Sequence, residues 1–296
     1  MAYKSSRAFG PATTQAQFFA QSGVTSLLDD ALQGMSTTLF AHGQTGSGKT
    51  HTILGGEGAS GAAPYQADHP LGILPRALNY IFQKIAAQQQ QRGGRGGAAR
   101  FAVRISCLEI YQETVFDLML RGGGGGGGGG GSAAFPRRQS LSVREHPALG
   151  FFVDGLSCAP VRGEAEATAL VSCALAHRRV GAHCLNARSN RSHTMVTLYV
   201  DALSPADGAH RYGRVTFVDL AGSERLKITD PSGVAHREAC SINRSLYTLG
   251  KVVQGINRGL GVGSVPFRDS KLTRLLIGSL GGKGRTLASA RASMRM

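Results

Sequence analysis

Three short polar segments of this chain contain the residue types that handle phosphate groups: GQTGSGKT at 43–50, NARSNRSH at 186–193 and DLAGSE at 219–224. The first has the spacing G-x-x-x-x-G-K-[ST], whose glycines let backbone N–H groups converge on phosphates at the start of a helix. We expect Lys49 to reach the β- and γ-phosphates and the Thr50 hydroxyl to hold Mg²⁺. The pattern predicts a nucleotide-binding loop made of Gly43, Gln44, Thr45, Gly46, Ser47, Gly48, Lys49, Thr50 and His51.

The other two segments have the chemistry to respond to a third phosphate. Asp219 ends an apolar run, and a carboxylate at the C-terminal tip of a strand is where P-loop enzymes hold the metal shell. Gly222 offers an N–H that a γ-phosphate could approach without meeting a side chain. Alone, DLAGSE could be a simple strand-to-turn transition, and NARSNRSH could be a polar surface turn. Their order after the first segment predicts a nucleotide-driven switch.

Strand and helix patterns alternate around these segments and would position them. A β-prone run at 36–41 leads into the first glycines, a helix continues at 51–54, and apolar residues recur at helical spacing between Ile73 and Ile85. Further patterns predict strands at 101–111, 194–201 and 214–219, helices at 163–180, 242–256 and 270–280, and a hairpin formed by 141–144 and 151–156. This alternation predicts one α/β domain whose sheet has helices on both faces.

Two low-complexity stretches interrupt the pattern, at 88–97 and 121–139. The second includes ten consecutive glycines at 122–131, which have maximal backbone entropy and no side chains to bury. We interpret both stretches as loop insertions at the surface.

The charge of the chain is strongly basic and unevenly distributed. Its 296 residues have a formal net charge of +15, which suggests an acidic partner, either nucleic acid or protein. Between positions 241 and 296 there is one acid, Asp269, against ten basic residues: 244, 251, 258, 268, 271, 274, 283, 285, 291 and 295. No basic motif interleaved with aromatic residues supports nucleic acid, and charge alone does not choose between the two kinds of partner.

Cysteine spacing and hydropathy limit the kind of protein further. The five cysteines include no C-x-x-C pair, which argues against a disulfide framework or zinc site and favours a reducing compartment. No apolar run approaches the roughly 20 residues that span a bilayer, and no signal-peptide pattern opens the chain. The sequence predicts a cytosolic or nuclear protein that has no membrane partner.

The three segments and their flanks closely resemble a kinesin motor domain. The family's pattern is GQTGSGKT, then N-x-x-S-S-R-S-H, then DLAGSE, and four further stretches match it: LFAHGQTGSGKTHTILG, CLEIYQETVFDLM, SINRSLYTLGKV and VPFRDSKLTRLL. The resemblance runs from about position 3 to about position 287. It implies a P-loop NTPase-type three-layer sandwich with a central mixed, mostly parallel sheet and helices on both faces.

The resemblance also implies a division of labour in ATP hydrolysis. Lys49 and Thr50 would keep their P-loop roles with ATP and Mg²⁺, and Asp219 would bind Mg²⁺ through water. Ser189 and its neighbour Asn190 would close over the γ-phosphate.

A latch between the last two segments follows from the same resemblance. Arg191 would pair with Glu224 when the segments meet and would position the attacking water, while the Gly222 N–H registers the γ-phosphate. Charge clamps of this kind carry most of phosphoryl-transfer catalysis.

The same resemblance implies a binding partner for the basic C-terminal part. In kinesins, the helix after DLAGSE and the loop and helix that follow lie on the acidic face of tubulin. The positions that match this microtubule-binding surface are Arg244, Arg268, Lys271 and Arg274. The implied location is the cytoplasm, on the microtubule cytoskeleton.

The chain departs from the family pattern in three places. Asn190 replaces the usual second serine and lacks a hydroxyl that could relay a proton, which predicts slower hydrolysis. Cys240 stands where many relatives carry a lysine next to tubulin. The first strand of the family, with its R-x-R-P motif, is absent, and the small, basic ASARASMRM after Thr286 predicts loss of the final strand and helix.

These departures leave several functions open. The leading interpretation is a motor head that binds microtubules and hydrolyses ATP. A catalytically impaired microtubule-binding module, or a truncated non-motile fragment, is the alternative. A GTP-binding switch is disfavoured because no N-K-x-D run occurs, and the sequence leaves subfamily, direction, cargo and oligomeric state open.

Overall fold

A computed structural model describes residues 7–56, 71–91, 100–120, 140–147, 150–182, 191–203, 208–224, 234–281 and 284–291. The α-helices in these residues are α1 (Gln15–Gln21), α2 (Val24–Leu32), α3 (Lys49–Ile53), α4 (Ile73–Gln91), α5 (Glu164–Ala182), α6 (Val234–Asn257) and α7 (Lys271–Leu280). The strands are β1 (Ser36–Gly43), β2 (Arg100–Tyr111), β3 (Thr114–Asp117), β4 (Ser140–Leu141), β5 (Val143–His146), β6 (Gly150–Val153), β7 (Ala159–Val161), β8 (His193–Leu203), β9 (His210–Asp219) and β10 (Gly284–Arg291).

The central sheet is mixed, as the sequence predicts. Its strand order is β10-β1-β9-β8-β2-β3-β4, and β7 also pairs with β2. Only the pairs β1–β10 and β1–β9 are parallel, whereas β9–β8, β8–β2, β2–β3, β3–β4 and β2–β7 are antiparallel. The expectation that neighbouring strands are mostly parallel is therefore wrong. Short connections such as the two residues between β2 and β3 can join only antiparallel neighbours.

The last strand, β10, corrects a second expectation. The run after Thr286 predicts loss of the final strand, yet 284–291 pairs in parallel with β1 at eight successive positions. Leu287 packs against the larger core cluster and Ser289 is buried. Strand propensity depends on context, and a paired neighbour with a packed face outweighs weak intrinsic preference.

Helices cover both faces of the sheet, which confirms the three-layer arrangement. On one face, α2, α4 and α5 pack against alternate residues of the strands, such as Leu39 and Phe217. On the other face, α6 and α7 pack against the intervening residues, such as Phe40 and Val218. Because β1 and β9 are buried on both faces, their carboxyl ends are held rigidly at one edge of the sheet.

Helix α4 extends further than the sequence predicts. It continues to Gln91, so the first four positions of the expected loop insertion at 88–97 are helical, in keeping with the good helix propensity of Gln. Positions 92–97 and the second expected insertion, 121–139, lie outside the described residues. Among the helices that the structure does describe, none is both long and apolar enough to cross a bilayer.

Candidate functional site

The loop at 43–50 joins the end of β1 to the start of α3, which is the predicted strand–loop–helix arrangement. Gly46 and Gly48 have φ angles of 78° and 90°, a region that residues with side chains rarely adopt. A Cβ atom at either position would meet nothing within 4 Å, so the space beside these glycines is open. His51 is exposed at the far end of the predicted set, and its carbonyl accepts the Gln15 amide at 2.7 Å.

The Lys49 side chain lies at the base of this loop, and only 7% of the residue is exposed. Its ammonium group donates to the Gln44 carbonyl at 2.9 Å. Burial lowers the pKa of Lys49, while the carboxylates of Asp219 and Glu224 act in the opposite direction. The loop therefore contains a cation that is poorly hydrated and has acidic groups nearby.

Asp219 ends β9 at the same edge of the sheet, as predicted, and meets the loop there. Its Oδ2 atom accepts the Thr50 hydroxyl at 2.8 Å. Its Oδ1 atom is buried and has no hydrogen-bond partner among the described residues. A hydroxyl and a carboxylate are ligands that Mg²⁺ prefers, and the unpartnered oxygen could accept from a water of its coordination shell. These two residues fit a magnesium site.

Arg178 is a candidate that the sequence analysis does not identify. It lies near the end of α5, where the sequence shows only a positive charge suited to the helix dipole. The structure buries it and directs its Nη1 to Asp219 Oδ2 at 3.1 Å. Its Nη2 donates to the Ser192 carbonyl at 3.4 Å. Arg178 thus joins the carboxylate of the candidate metal site to the end of the second polar segment.

Glu224 connects the third segment to the loop at 43–50. Its Oε2 accepts the Thr45 backbone N–H at 2.7 Å, and its Oε1 accepts the Thr45 hydroxyl. The Ser223 N–H donates to the Gly43 carbonyl at 3.1 Å. Burial raises the pKa of Glu224, but the bonds from Thr45 and the charge of Lys49 outweigh it and lower the pKa overall. Glu224 is therefore an ionised group held on the loop.

Gly222 lies directly beneath this contact. A Cβ atom at position 222 would collide with the Thr45 hydroxyl and with both carboxylate oxygens of Glu224. The structure brings Gly222 to the loop, and the role of its N–H towards a γ-phosphate stays a prediction. Arg191 is half-buried two residues before the start of β8, and its pairing with Glu224 stays a prediction. Ser189 and Asn190 lie outside the described residues.

His193 is the first residue of β8 and only 3% exposed. Its Nδ1 accepts the Ala221 backbone N–H at 3.0 Å, and its Nε2 lies 2.8 Å from the Ser245 hydroxyl in α6. Burial, assisted by the charge of Arg178, lowers the pKa of His193 to about 3. In the sequence, His193 is the last residue of a polar segment, and nothing near it there indicates a role.

The four basic residues predicted to face a track lie on α6, α7 and the turn before α7. Arg244 is exposed on α6. Arg268 pairs with Glu145 of β5 at 2.7 Å, and Arg274 donates to the Arg268 carbonyl through Nε at 2.9 Å and Nη2 at 2.7 Å. Both guanidinium groups lie within 6 Å of the Phe151 ring centre, at 5.7 and 5.9 Å.

Lys271 begins α7, and its backbone N–H donates to the Glu113 carboxylate at 2.8 Å. Glu113 is in the turn between β2 and β3, where it has a φ angle of 55°. A carboxylate at a helix N-terminus stabilises that end of the helix. The α7 surface is therefore fixed by the β2–β3 turn at Lys271 and by the β5–β6 hairpin at Arg268.

The glycine loop lies between a β-strand and a helix and holds a buried lysine, and an aspartate at the tip of another strand contacts the threonine of that helix. This arrangement defines the P-loop NTPase class. Comparison with known proteins gives the family. The kinesin motor domain model matches residues 1–295, so this chain belongs to the kinesin motor domain family.

Individual relatives agree with that assignment. Kinesin-related protein 5 of Dictyostelium discoideum is 34% identical over 287 residues, which cover 97% of this chain and 26% of the relative. Kinesin-like protein 3 of Schizosaccharomyces pombe is 36% identical over 280 residues, 95% of this chain and 45% of the relative. The solved structure of a fast kinesin matches with a TM-score of 0.80 and 32% identity, over 98% of this chain and 73% of that one. The chain spans less than half the length of these two curated relatives.

Proposed function

We propose that this chain is a kinesin motor head that binds microtubules and hydrolyses ATP to ADP and phosphate to produce movement or force. The observation that carries the proposal is the meeting of the loop at 43–50 with the segment at 219–224. Thr50 donates to Asp219, and Thr45 donates to Glu224, so the predicted nucleotide-binding loop touches a segment predicted to sense the γ-phosphate. Membership of the kinesin motor domain family supports the same function.

The loop residues would bind the nucleotide. Gly46 and Gly48 leave open space for phosphate oxygens, and Lys49 supplies a partly desolvated positive charge next to them. Thr50 and Asp219 would hold Mg²⁺, Asp219 through water, and the ion would neutralise charge that develops on the phosphates. Desolvated charges act more strongly than hydrated ones because the local dielectric is low.

The segment residues would act on the γ-phosphate. Gly222 offers its N–H, and the absence of a side chain there is required by the contact between Thr45 and Glu224. We infer that Glu224 exchanges Thr45 for Arg191 when ATP is bound, and that this ion pair positions the attacking water. Ser189 and Asn190 complete the closure over the phosphate in this proposal.

The basic residues of α6 and α7 would bind the acidic surface of tubulin. Arg244, Arg268, Lys271 and Arg274 supply the positive charge, and the bonds of Arg274 to the Arg268 carbonyl hold two of them together. Complementary charge of this kind raises the rate of association with the partner, and this effect weakens as the salt concentration rises. The protein would act in the cytoplasm on microtubules.

A second candidate function is favoured by Asn190. Because Asn190 lacks the hydroxyl of the family's second serine, the chain could bind microtubules while hydrolysing ATP poorly. Both candidate functions use the same microtubule-binding surface, so only the rate of ATP hydrolysis distinguishes them.

One assay tests both candidates: ATP hydrolysis by the purified chain with and without microtubules, together with co-sedimentation. Stimulation by microtubules supports the motor, and Lys49→Ala should then reduce turnover by at least about 10²-fold. Lys84→Ala is the matched control, because Lys84 is an exposed lysine on α4 whose nearest acidic partner is 4.0 Å away. Co-sedimentation without hydrolysis supports the impaired binder. The absence of both hydrolysis and co-sedimentation contradicts both candidate functions.

A further inference from the structure

One buried imidazole joins the nucleotide edge of the sheet to the helix that carries Arg244. His193 Nδ1 is 3.0 Å from the Ala221 backbone nitrogen, and His193 Nε2 is 2.8 Å from the Ser245 hydroxyl. All three residues are buried, with 3%, 0% and 2% exposure for His193, Ala221 and Ser245. Both ring nitrogens are therefore used, in a place from which water is excluded.

The protonation pattern of this ring follows from its partners. The Ala221 N–H can only donate, so Nδ1 must be the acceptor and carries no proton. In a neutral imidazole the proton is then on Nε2, which donates to the Ser245 hydroxyl. The low pKa of His193 keeps the ring in this neutral form at physiological pH. Each hydrogen bond therefore has a defined donor: the Ala221 N–H donates to the ring, and the ring donates to the Ser245 hydroxyl on α6.

The two partners lie in elements with different proposed tasks. Ala221 lies between the metal-site residue Asp219 and Gly222, whose N–H would register the γ-phosphate. Ser245 follows Arg244 directly in α6, which also packs against α7. A displacement of the 219–224 segment therefore reaches α6 through one rigid aromatic ring, which has fewer internal rotations than a chain of flexible side chains.

We propose that His193 is a positioning residue that couples the 219–224 segment to α6, so that a change at the nucleotide site shifts α6 and the basic surface on it. This rests on the proposed function in assuming that nucleotide binds the loop at 43–50. The coupling acts in both directions, because linkage between two binding sites is reciprocal.

Three substitutions test the bridge, which is the pair of hydrogen bonds that join His193 to Ala221 and to Ser245. His193→Asn keeps an acceptor near the position of Nδ1 but does not reach Ser245, and His193→Gln reaches Ser245 but leaves the Ala221 N–H without its acceptor. Ser245→Ala removes the hydroxyl that the ring contacts on α6 and is the mildest change. Ser279→Ala is the matched control, because Ser279 is equally buried and its hydroxyl accepts from Thr38, which links β1 to α7 and bypasses the bridge.

Hydrogen exchange of the α6 amides, followed without microtubules, measures the coupling directly. Exchange is compared in Mg·ADP and in a non-hydrolysable Mg·ATP analogue, and nucleotide Kd is measured for each variant. For the wild type we expect the two nucleotides to change α6 exchange by at least about fivefold. In His193→Asn, His193→Gln and Ser245→Ala the ratio should approach one while nucleotide Kd changes far less, and Ser279→Ala should keep the wild-type ratio.

The double variant His193→Asn/Ser245→Ala should lose no more coupling than either single variant, because both interrupt the same bridge. The proposal is overturned if the wild type shows no nucleotide-dependent change in α6, or if Ser245→Ala and His193→Gln retain it. It is also overturned if the control loses the ratio to the same extent, since general destabilisation then explains the effect. Absence of microtubule-stimulated hydrolysis in a wild type that shows the exchange ratio contradicts the motor function and leaves the coupling supported.

Discussion

Arg178 and Asp219 form an ion pair inside the protein, with Nη1 and Oδ2 3.1 Å apart and side-chain exposures of 7% and 4%. The same Oδ2 accepts the Thr50 hydroxyl. The Asp219 carboxylate, which we propose binds Mg²⁺ through water, is therefore held from one direction by the loop at 43–50 and from the other by α5. A displacement of either element changes where that carboxylate lies.

Replacement of Arg178 should destabilise the fold strongly. Arg178→Ala leaves the Asp219 charge buried without its cation, and losing one partner of a buried pair costs about 3–5 kcal/mol in the free energy of unfolding. Denaturant unfolding of the purified chain measures this loss. Arg104→Ala is the control, because it breaks an ion pair of 2.7 Å between more exposed side chains, at 46% and 27%, and should cost about 1 kcal/mol or less. Equal losses in the two variants would contradict the importance of the buried pair.

A methyl group at position 222 should separate nucleotide binding from hydrolysis. In Gly222→Ala the added Cβ displaces Glu224 from Thr45 and fills the approach to the Gly222 N–H. We expect turnover to fall by roughly 10²-fold while ADP affinity changes much less. Gly250→Ala, on α6 where a Cβ meets nothing within 4 Å, is the control and should keep turnover. A variant at 222 with wild-type turnover would exclude Gly222 from the switch.

Restoring the family's second serine should speed hydrolysis. Asn190→Ser supplies a hydroxyl that can relay a proton near the γ-phosphate, so microtubule-stimulated turnover should rise severalfold. Steady-state hydrolysis at saturating microtubules measures the change. Asn257→Ser, at the exposed end of α6, introduces the same exchange elsewhere and should have no effect. An unchanged or lower rate in Asn190→Ser would end the argument that asparagine impairs this site.

Acid should destabilise the protein through His193. Burial keeps the folded-state pKa of His193 at about 3, below its usual value of 6.5, so between these pH values only the unfolded chain binds the proton. Stability therefore rises with pH through this window and gains nothing further from His193 above it. Between about pH 7 and about pH 5 the wild type should lose about 2 kcal/mol more than His193→Asn, which cannot titrate there. Denaturant midpoints at the two pH values test this, and parallel profiles would contradict it.

Residues whose role follows from a local pattern could be predicted from the sequence. The spacing of the glycines with Lys49 identifies the loop, and the apolar run before Asp219 identifies a strand tip. Both patterns have fixed local geometry, because a strand, a tight glycine turn and a helix must follow in order. The structure places Thr50 and Asp219 in contact as that reasoning requires.

Contacts between distant positions could not be predicted in this way. Arg178 looks like a surface charge at a helix end, since nothing near it in the sequence shows that Asp219 lies beside it. His193 likewise meets Ser245 only after the sheet and α6 have packed. The strand β10 has weak intrinsic preference, and its partner β1 is more than two hundred positions away. The helix α1 is too short for a repeating pattern, whereas α2 has apolar residues at helical spacing (Val24, Leu27, Leu28, Ala31 and Leu32) and could be predicted from its sequence.

The contact between Glu224 and Thr45 has a consequence for how the protein distinguishes its ligands. An amide of the phosphate loop is already occupied by an anion that belongs to the protein, so an incoming nucleotide has to expel a carboxylate in order to use that amide. The affinity for nucleotide then depends on the difference between two free energies, that of the nucleotide and that of the Glu224 carboxylate at the same amide. A ligand that gains more from this amide displaces the carboxylate more readily, so the internal acid lowers the affinity of every ligand that needs the amide.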